Sequence, residues 1–115
     1  MKVYLAKDLT DLPMYGDVPD LTQALPPKVV SFEISEDAGR KLDSSFVDST
    51  NTLCDATLDF GDYQYYDPKQ CGLLLKWVEN TVDNATDPLL LEFYHNLRVF
   101  LEYAVSNNTG LAIEL

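Results

Sequence analysis

The run Leu111-Ala112-Ile113-Glu114-Leu115 decides the fold. It follows Asn107-Asn108-Thr109-Gly110, a cluster that stops a helix, and its apolar, β-prone residues read as a strand. The run ends on the last residue, which points to a terminus tied into a sheet. At the other end Lys2-Val3-Tyr4-Leu5-Ala6 alternates and carries β-branched and aromatic residues, again a strand. The two terminal strands are therefore candidates for pairing. A further strand is expected over Val29-Val30-Ser31-Phe32-Glu33-Ile34, with Val30, Phe32 and Ile34 on one face.

Helix signals fill the space between. Ser35 is placed to cap a helix over about Glu36 to Val47, where Ala38, Leu42 and Phe46 recur every four residues. Asp67-Pro68-Lys69-Gln70 combines an Asp cap, Pro in the first turn and Gln three residues on. In the helix it opens, Cys71, Leu74, Leu75, Val78 and Val82 form one stripe, with Leu73 and Trp77 on another side. Two stripes predict a helix sandwiched in the core. Asp87-Pro88 opens the longest helix, to about Ser106; Leu90, Phe93, Tyr94, Leu97, Phe100, Leu101 and Ala104 make its core face, opposite His95, Arg98 and Glu102. Residues 49 to 60 allow two readings. Cys54, Ala56, Leu58 and Phe60 alternate with Asp55, Thr57 and Asp59, which favours a strand over 52–60; a helix through Asn51 to Ala56 competes. Residues 8 to 27, with four Asp, four Pro and one Gly, read as a long loop with one turn of helix around Leu21 to Leu25. A loop of that length in a small domain is often functional. The fold class is α/β (α+β). A small mixed sheet includes both terminal strands, about three helices pack on it, and residues 1–115 form a single domain.

The 115 residues suffice for one core and not two. Nineteen acidic residues against eight basic ones give a net charge of −11. Nucleic-acid affinity comes mainly from Lys and Arg displacing counterions, so no nucleic-acid partner is expected. No membrane partner is expected either: anionic lipid repels such a chain, and Leu73-Leu74-Leu75 and Leu89-Leu90-Leu91 are the longest apolar runs. A cytoplasmic location follows from the absence of an export signal in Met1 to Asp11. Cys54 and Cys71 fit no ligand spacing and read as reduced, buried thiols. The Asn84-Ala85-Thr86 and Asn107-Asn108-Thr109 patterns then read as turns.

Motifs for catalysis are missing. His95 stands alone on a polar helix side, no nucleophile has an activating base, and the five Gly are scattered, so no enzyme activity and no cofactor are expected. Asp55, Asp59, Asp62 and Asp67 surround Gly61 without the spacing of a calcium loop, so no metal is expected.

Two segments concentrate the charge. From Leu42 to Pro68 there are six Asp and no basic residue, and the stretch ends in Phe60-Gly61-Asp62-Tyr63-Gln64-Tyr65-Tyr66-Asp67. Tyr supplies contact area, a polar tip and few torsions to freeze, and Asp meets Lys or Arg. The residues expected to contact a partner are Asp59, Asp62, Tyr63, Tyr65, Tyr66 and Asp67, then Asp17 and Asp20 from the other acidic loop. The alternative is that Tyr63 and Tyr65 alternate into the core while Asp62 and Asp67 cap turns.

The opening Met1-Lys2-Val3-Tyr4-Leu5-Ala6, running into Asp11-Leu12-Pro13 and Tyr15-Gly16-Asp17, resembles the small cytosolic immunity proteins of bacterial contact-dependent growth inhibition systems. So does Leu58-Asp59-Phe60-Gly61-Asp62-Tyr63 with Tyr66-Asp67, Cys71 and Trp77. The resemblance implies a binding protein that neutralises the C-terminal domain of a cognate toxin, one to one. Such toxins are commonly basic nucleases, which suits a net charge of −11. The other reading is an acidic regulatory or adaptor protein, or a nucleic-acid mimic, with another basic partner.

Overall fold

The computed structural model describes all 115 residues. Strand β1 (Lys2–Ala6) leads to a small hairpin, β2 (Met14–Tyr15) and β3 (Val18–Pro19), then to a 3-10 turn at Leu21–Gln23 and strand β4 (Val29–Glu33). Helix α1 (Glu36–Leu42) passes through a π-turn (Asp43–Val47) into α2 (Asp48–Cys54). Strand β5 (Tyr63–Tyr66), helices α3 (Pro68–Val82) and α4 (Pro88–Ser106), and strand β6 (Leu111–Glu114) complete the chain.

The terminal strands lie side by side in a four-stranded sheet of order β4-β1-β6-β5. Every pairing is antiparallel, not mixed. Between β5 and β6 the connection accounts for this, since α3 and α4 make two passes and return the chain antiparallel. The expected helix caps form. Ser35 Oγ accepts from Ala38 N at 3.1 Å, and Asp67 and Gln70 form a reciprocal capping box.

The stretch 48–60 departs from the strand expectation. Residues 48–54 extend the helix begun at Glu36, which therefore runs past Val47. Asp55 ends it in the left-handed region, at φ 52. The alternation beyond is real, with Leu58 buried and Asp55, Thr57 and Asp59 exposed, but no strand pairs with it. Instead the Asn51 side chain donates to Leu58 O and accepts from Leu58 N, both at 2.9 Å. One side-chain amide thus satisfies the backbone as a strand neighbour would.

Alternation sends Val3, Leu5, Phe32, Leu111, Ile113 and Tyr66 to one face of the sheet, against the helices and a core of 22 buried residues. Trp77 is sandwiched as expected, edge-on to Phe46 at 5.6 Å and to Tyr94 at 5.7 Å. The other face carries Tyr4, Ala6, Val29, Ala112, Tyr63 and Tyr65. Only the 8–27 segment covers it, with Leu21 driven into a cluster of four buried residues.

Candidate functional site

On this loop-covered face a cleft of about 460 Å³ opens beside β5. Tyr15 and Val18 come from the hairpin, Asp20 and Thr22 from the 3-10 turn, Gly61 to Tyr65 from β5 and its approach, and Glu114 from β6. The hairpin can turn in two residues because Gly16 takes φ 62, the glycine-first turn that suits strand twist. Asp20 caps the 3-10 turn, accepting from Thr22 N at 3.1 Å and Thr22 Oγ1 at 2.6 Å.

Tyr63 holds the hairpin over the sheet. Its hydroxyl donates to Pro19 O at 2.8 Å and accepts from Leu21 N at 2.9 Å. Burial above all pushes its pKa up to about 12. Tyr65 lies across Gly110, where a Cβ would stand 2.6 Å from Tyr65 Cζ and 2.7 Å from the carbonyl oxygen of Tyr66. No side chain but hydrogen fits there. The Tyr65 hydroxyl makes no hydrogen bond within the chain and is not sealed off, so it is free for a partner. Tyr15 is 74% exposed.

The charges of the cleft are of one sign. Asp20, Asp62 and Glu114 line it without any Lys or Arg. The ion pairs of the molecule lie elsewhere, at Arg40–Glu36, Lys41–Asp87 and Arg98–Glu102. Glu114 accepts from the Tyr4 hydroxyl at 3.1 Å, and burial together with that bond raises Tyr4 to about 12. The Asp62 carboxylate has no hydrogen-bond partner; the carbonyl of Asp62 accepts from Leu115 N at 3.1 Å. Unpaired carboxylates beside tyrosine rings suit a guanidinium or ammonium group, which can pair with the one and stack on the other.

Of the residues expected at a partner surface, Asp20, Asp62, Tyr63 and Tyr65 meet in this cleft. Asp17 stands exposed at the hairpin tip, one residue from Val18. Asp59 and Asp67 are turn-formers outside it. Asp59 Oδ1 accepts from Phe60 N at 2.8 Å, and Asp67 Oδ1 from Gln70 N at 2.8 Å. Tyr66 is corrected: it is fully buried among the helices and can touch no partner, because its place in β5 alternates with Tyr63 and Tyr65. The tyrosine that enters the helix-facing core is thus Tyr66 and not Tyr63 or Tyr65, while Asp67 caps a helix.

Tyr15 stood out beside the acidic residues of its loop, whereas Val18, Thr22, Gln64 and Glu114 were passed over. Glu114 had a signal: it shares a face with Ala112, two residues back, and sits on the strand expected to pair. The thiols stay out of the chemistry. Burial raises Cys54 to about 11 and Cys71 to about 12, so both are protonated at neutral pH. His95 is exposed on α4. No helix is long and apolar enough to cross a membrane. Comparison with protein-family models, with curated proteins and with solved structures finds no match to this chain.

Proposed function

We propose that this chain is an immunity protein, acting in the cytoplasm, that binds the basic C-terminal domain of a cognate contact-dependent growth inhibition toxin one to one and blocks it. The observation that carries the reading is the cleft that joins Asp20, Asp62 and Glu114 to Tyr15 and Tyr65 with no internal cation. A basic surface on the partner supplies the missing charge. The net charge of −11 steers the encounter, and the tyrosines hold the complex once formed. The sequence resemblance supports the same reading.

The test uses a toxin C-terminal domain encoded directly upstream of this chain. Co-expression is expected to protect cells from it, and the purified pair to associate at a rate that falls steeply with salt. Asp62→Lys alters an exposed carboxylate with no hydrogen bond to lose, so its fold should persist by circular dichroism. Binding should weaken at least about tenfold, roughly one like-charge contact at an interface. Undiminished binding by a folded Asp62→Lys, Tyr15→Ala double variant overturns the cleft as the docking site.

A further inference from the structure

A second surface lies three strands away, at the free edge of β4. The register shows which groups it presents. Lys7 N donates to Lys28 O and Ile34 N to Met1 O, both at 2.8 Å, so the bonded pairs of this ladder are Lys7–Lys28, Leu5–Val30, Val3–Phe32 and Met1–Ile34. The N–H and C=O groups of Val29, Ser31 and Glu33 therefore point away from β1, and no backbone or side-chain group of the chain meets them. Edges left this bare usually carry a guard, most often an outward lysine, a proline or a bulge. The lysine at hand, Lys28, is turned aside: its Nζ donates to Thr10 O at 3.1 Å and Asp11 O at 3.3 Å. Val30, Ser31 and Glu33 are exposed, whereas Val29 is buried beside Leu21, so the open part of the edge is Ser31 to Glu33.

Beside the end of this edge a groove of about 250 Å³ lies between β4 and α4, floored by Phe32, Leu89 and Phe93 and carrying Glu92. No Lys or Arg lines it. A residue paired opposite Phe32 on an added strand projects to the same face, over this groove. A long basic side chain fits such a place, its methylene stem on the rings and its head at the Glu92 carboxylate.

We infer that the β4 edge is a docking site for an extended, basic segment of a partner protein. It adds as a fifth strand through Ser31 and Glu33, beyond the buried Val29, and lays a Lys or Arg into the groove at Phe32 and Glu92. Main-chain bonds supply affinity and the groove supplies selectivity. A second copy of this chain is the wrong occupant on charge, since each carries −11. The inference does not depend on the cleft: either surface can fail while the other stands.

The probe is a short capped peptide of alternating threonine and valine with a central arginine, followed by amide NMR and hydrogen exchange. The expected result is that the Ser31 and Glu33 amides shift on titration and their exchange slows about tenfold or more at saturation. The same peptide N-methylated at alternate amides, with charge unchanged, should leave them as they were. Glu92→Gln, on an exposed helix position, should weaken the arginine peptide several-fold and leave its Arg→Thr counterpart unaffected. Three results overturn the proposal. They are β4 amides unshifted at millimolar peptide; shifts that survive N-methylation, or fall on Tyr15 and Tyr65 instead; and protection at β4 that grows with protein concentration in the absence of peptide, the mark of self-pairing.

Discussion

The two faces of the four-stranded sheet are made by alternate residues of the same strands and closed in opposite manners. One is sealed by three helical bodies, and nearly everything on it is apolar: Val3, Leu5, Leu111 and Ile113 are all at or near zero exposure. The other is roofed by the proline-rich segment 8–27, pinned by Leu21 and by the two hydrogen bonds of Tyr63. The first face, away from the β4 edge, can spare no group for a partner. The second keeps unpaired carboxylates, a free phenol and an aromatic rim, because a loop roof cannot bury them all. Stability and recognition are thereby assigned to different sides of one sheet, and substitutions on each side test that division.

The largest contrast is between two leucines. Leu97 on α4 and Leu21 in the loop turn are equally buried, at 0% and 1% exposure. Leu97→Ala opens a hole in a core that cannot close around it, and should cost about 3–5 kcal/mol, the upper part of the range for such truncations. Leu21→Ala removes the same atoms from a site whose roof can settle, and should cost nearer 2 kcal/mol. Denaturant unfolding reads both costs. Amide exchange should show the Leu21→Ala loss confined to the loop and β2–β3, and the Leu97→Ala loss spread over the sheet. Equal costs with equal spread would mean that the faces are one cooperative unit.

A smaller effect is expected at the latch. Tyr63→Phe keeps the ring and leaves both Pro19 O and Leu21 N without a partner. About 1–2 kcal/mol should be lost, at the lower end for two unmet backbone groups because water reaches part of the site. Exchange at the Leu21 amide should quicken, with the α3 and α4 amides unchanged. If cleft binding survives, the latch serves only to hold the roof; if it falls with the loosened loop, the roof must be positioned for recognition.

How much of this the sequence carried follows the same division. Helix caps at Ser35, Asp67 and Asp87 and the strand pattern at both ends are local signals, and each formed where its residues stand. The helix-facing core was legible for the same reason, since apolar periodicity reports burial directly. Residues 52–60 were not, because Asn51 replaces a strand neighbour with its side chain, a contact that leaves no periodic trace. The cleft was half legible. Acidic and aromatic content marked 15–20 and 59–67, but Glu114 entered through strand pairing, and Tyr66 left through the phase of the alternation. Composition names the neighbourhood of such a site, and register chooses its members.

Alkaline titration separates the faces by a gentler means. Burial raises Tyr63 and Tyr65 on the loop side to about 12, and raises Tyr66 on the helix side further still. A phenol whose folded pKa is raised binds its proton more tightly when folded, so its stabilisation is complete below the ordinary value of 10 and is lost as the pH climbs toward 12. Burial raises the two thiols from their ordinary value of 9 in the same way, so stability should be flat to about pH 9 and then fall. Phenolate absorbance with the single Tyr→Phe variants should show the cleft tyrosines ionising while Tyr66 remains neutral until the chain unfolds.

The smallest effect has the opposite sign. Tyr66 is fully buried and its hydroxyl has no hydrogen-bond partner. The chain around it offers two thiols, Cys54 and Cys71, each already turned to a backbone carbonyl, Gln70 O and Tyr66 O respectively. A hydroxyl desolvated without a bond costs free energy, whereas the ring it sits on repays its burial through packing. Tyr66→Phe should therefore stabilise the fold by up to about 1 kcal/mol, read from denaturant midpoints at constant slope. Binding at the cleft should stay as it was, since the residue reaches no surface. A loss of stability instead would mean that the hydroxyl has a partner on the helix side, and that this face is less purely apolar than its opposite number requires.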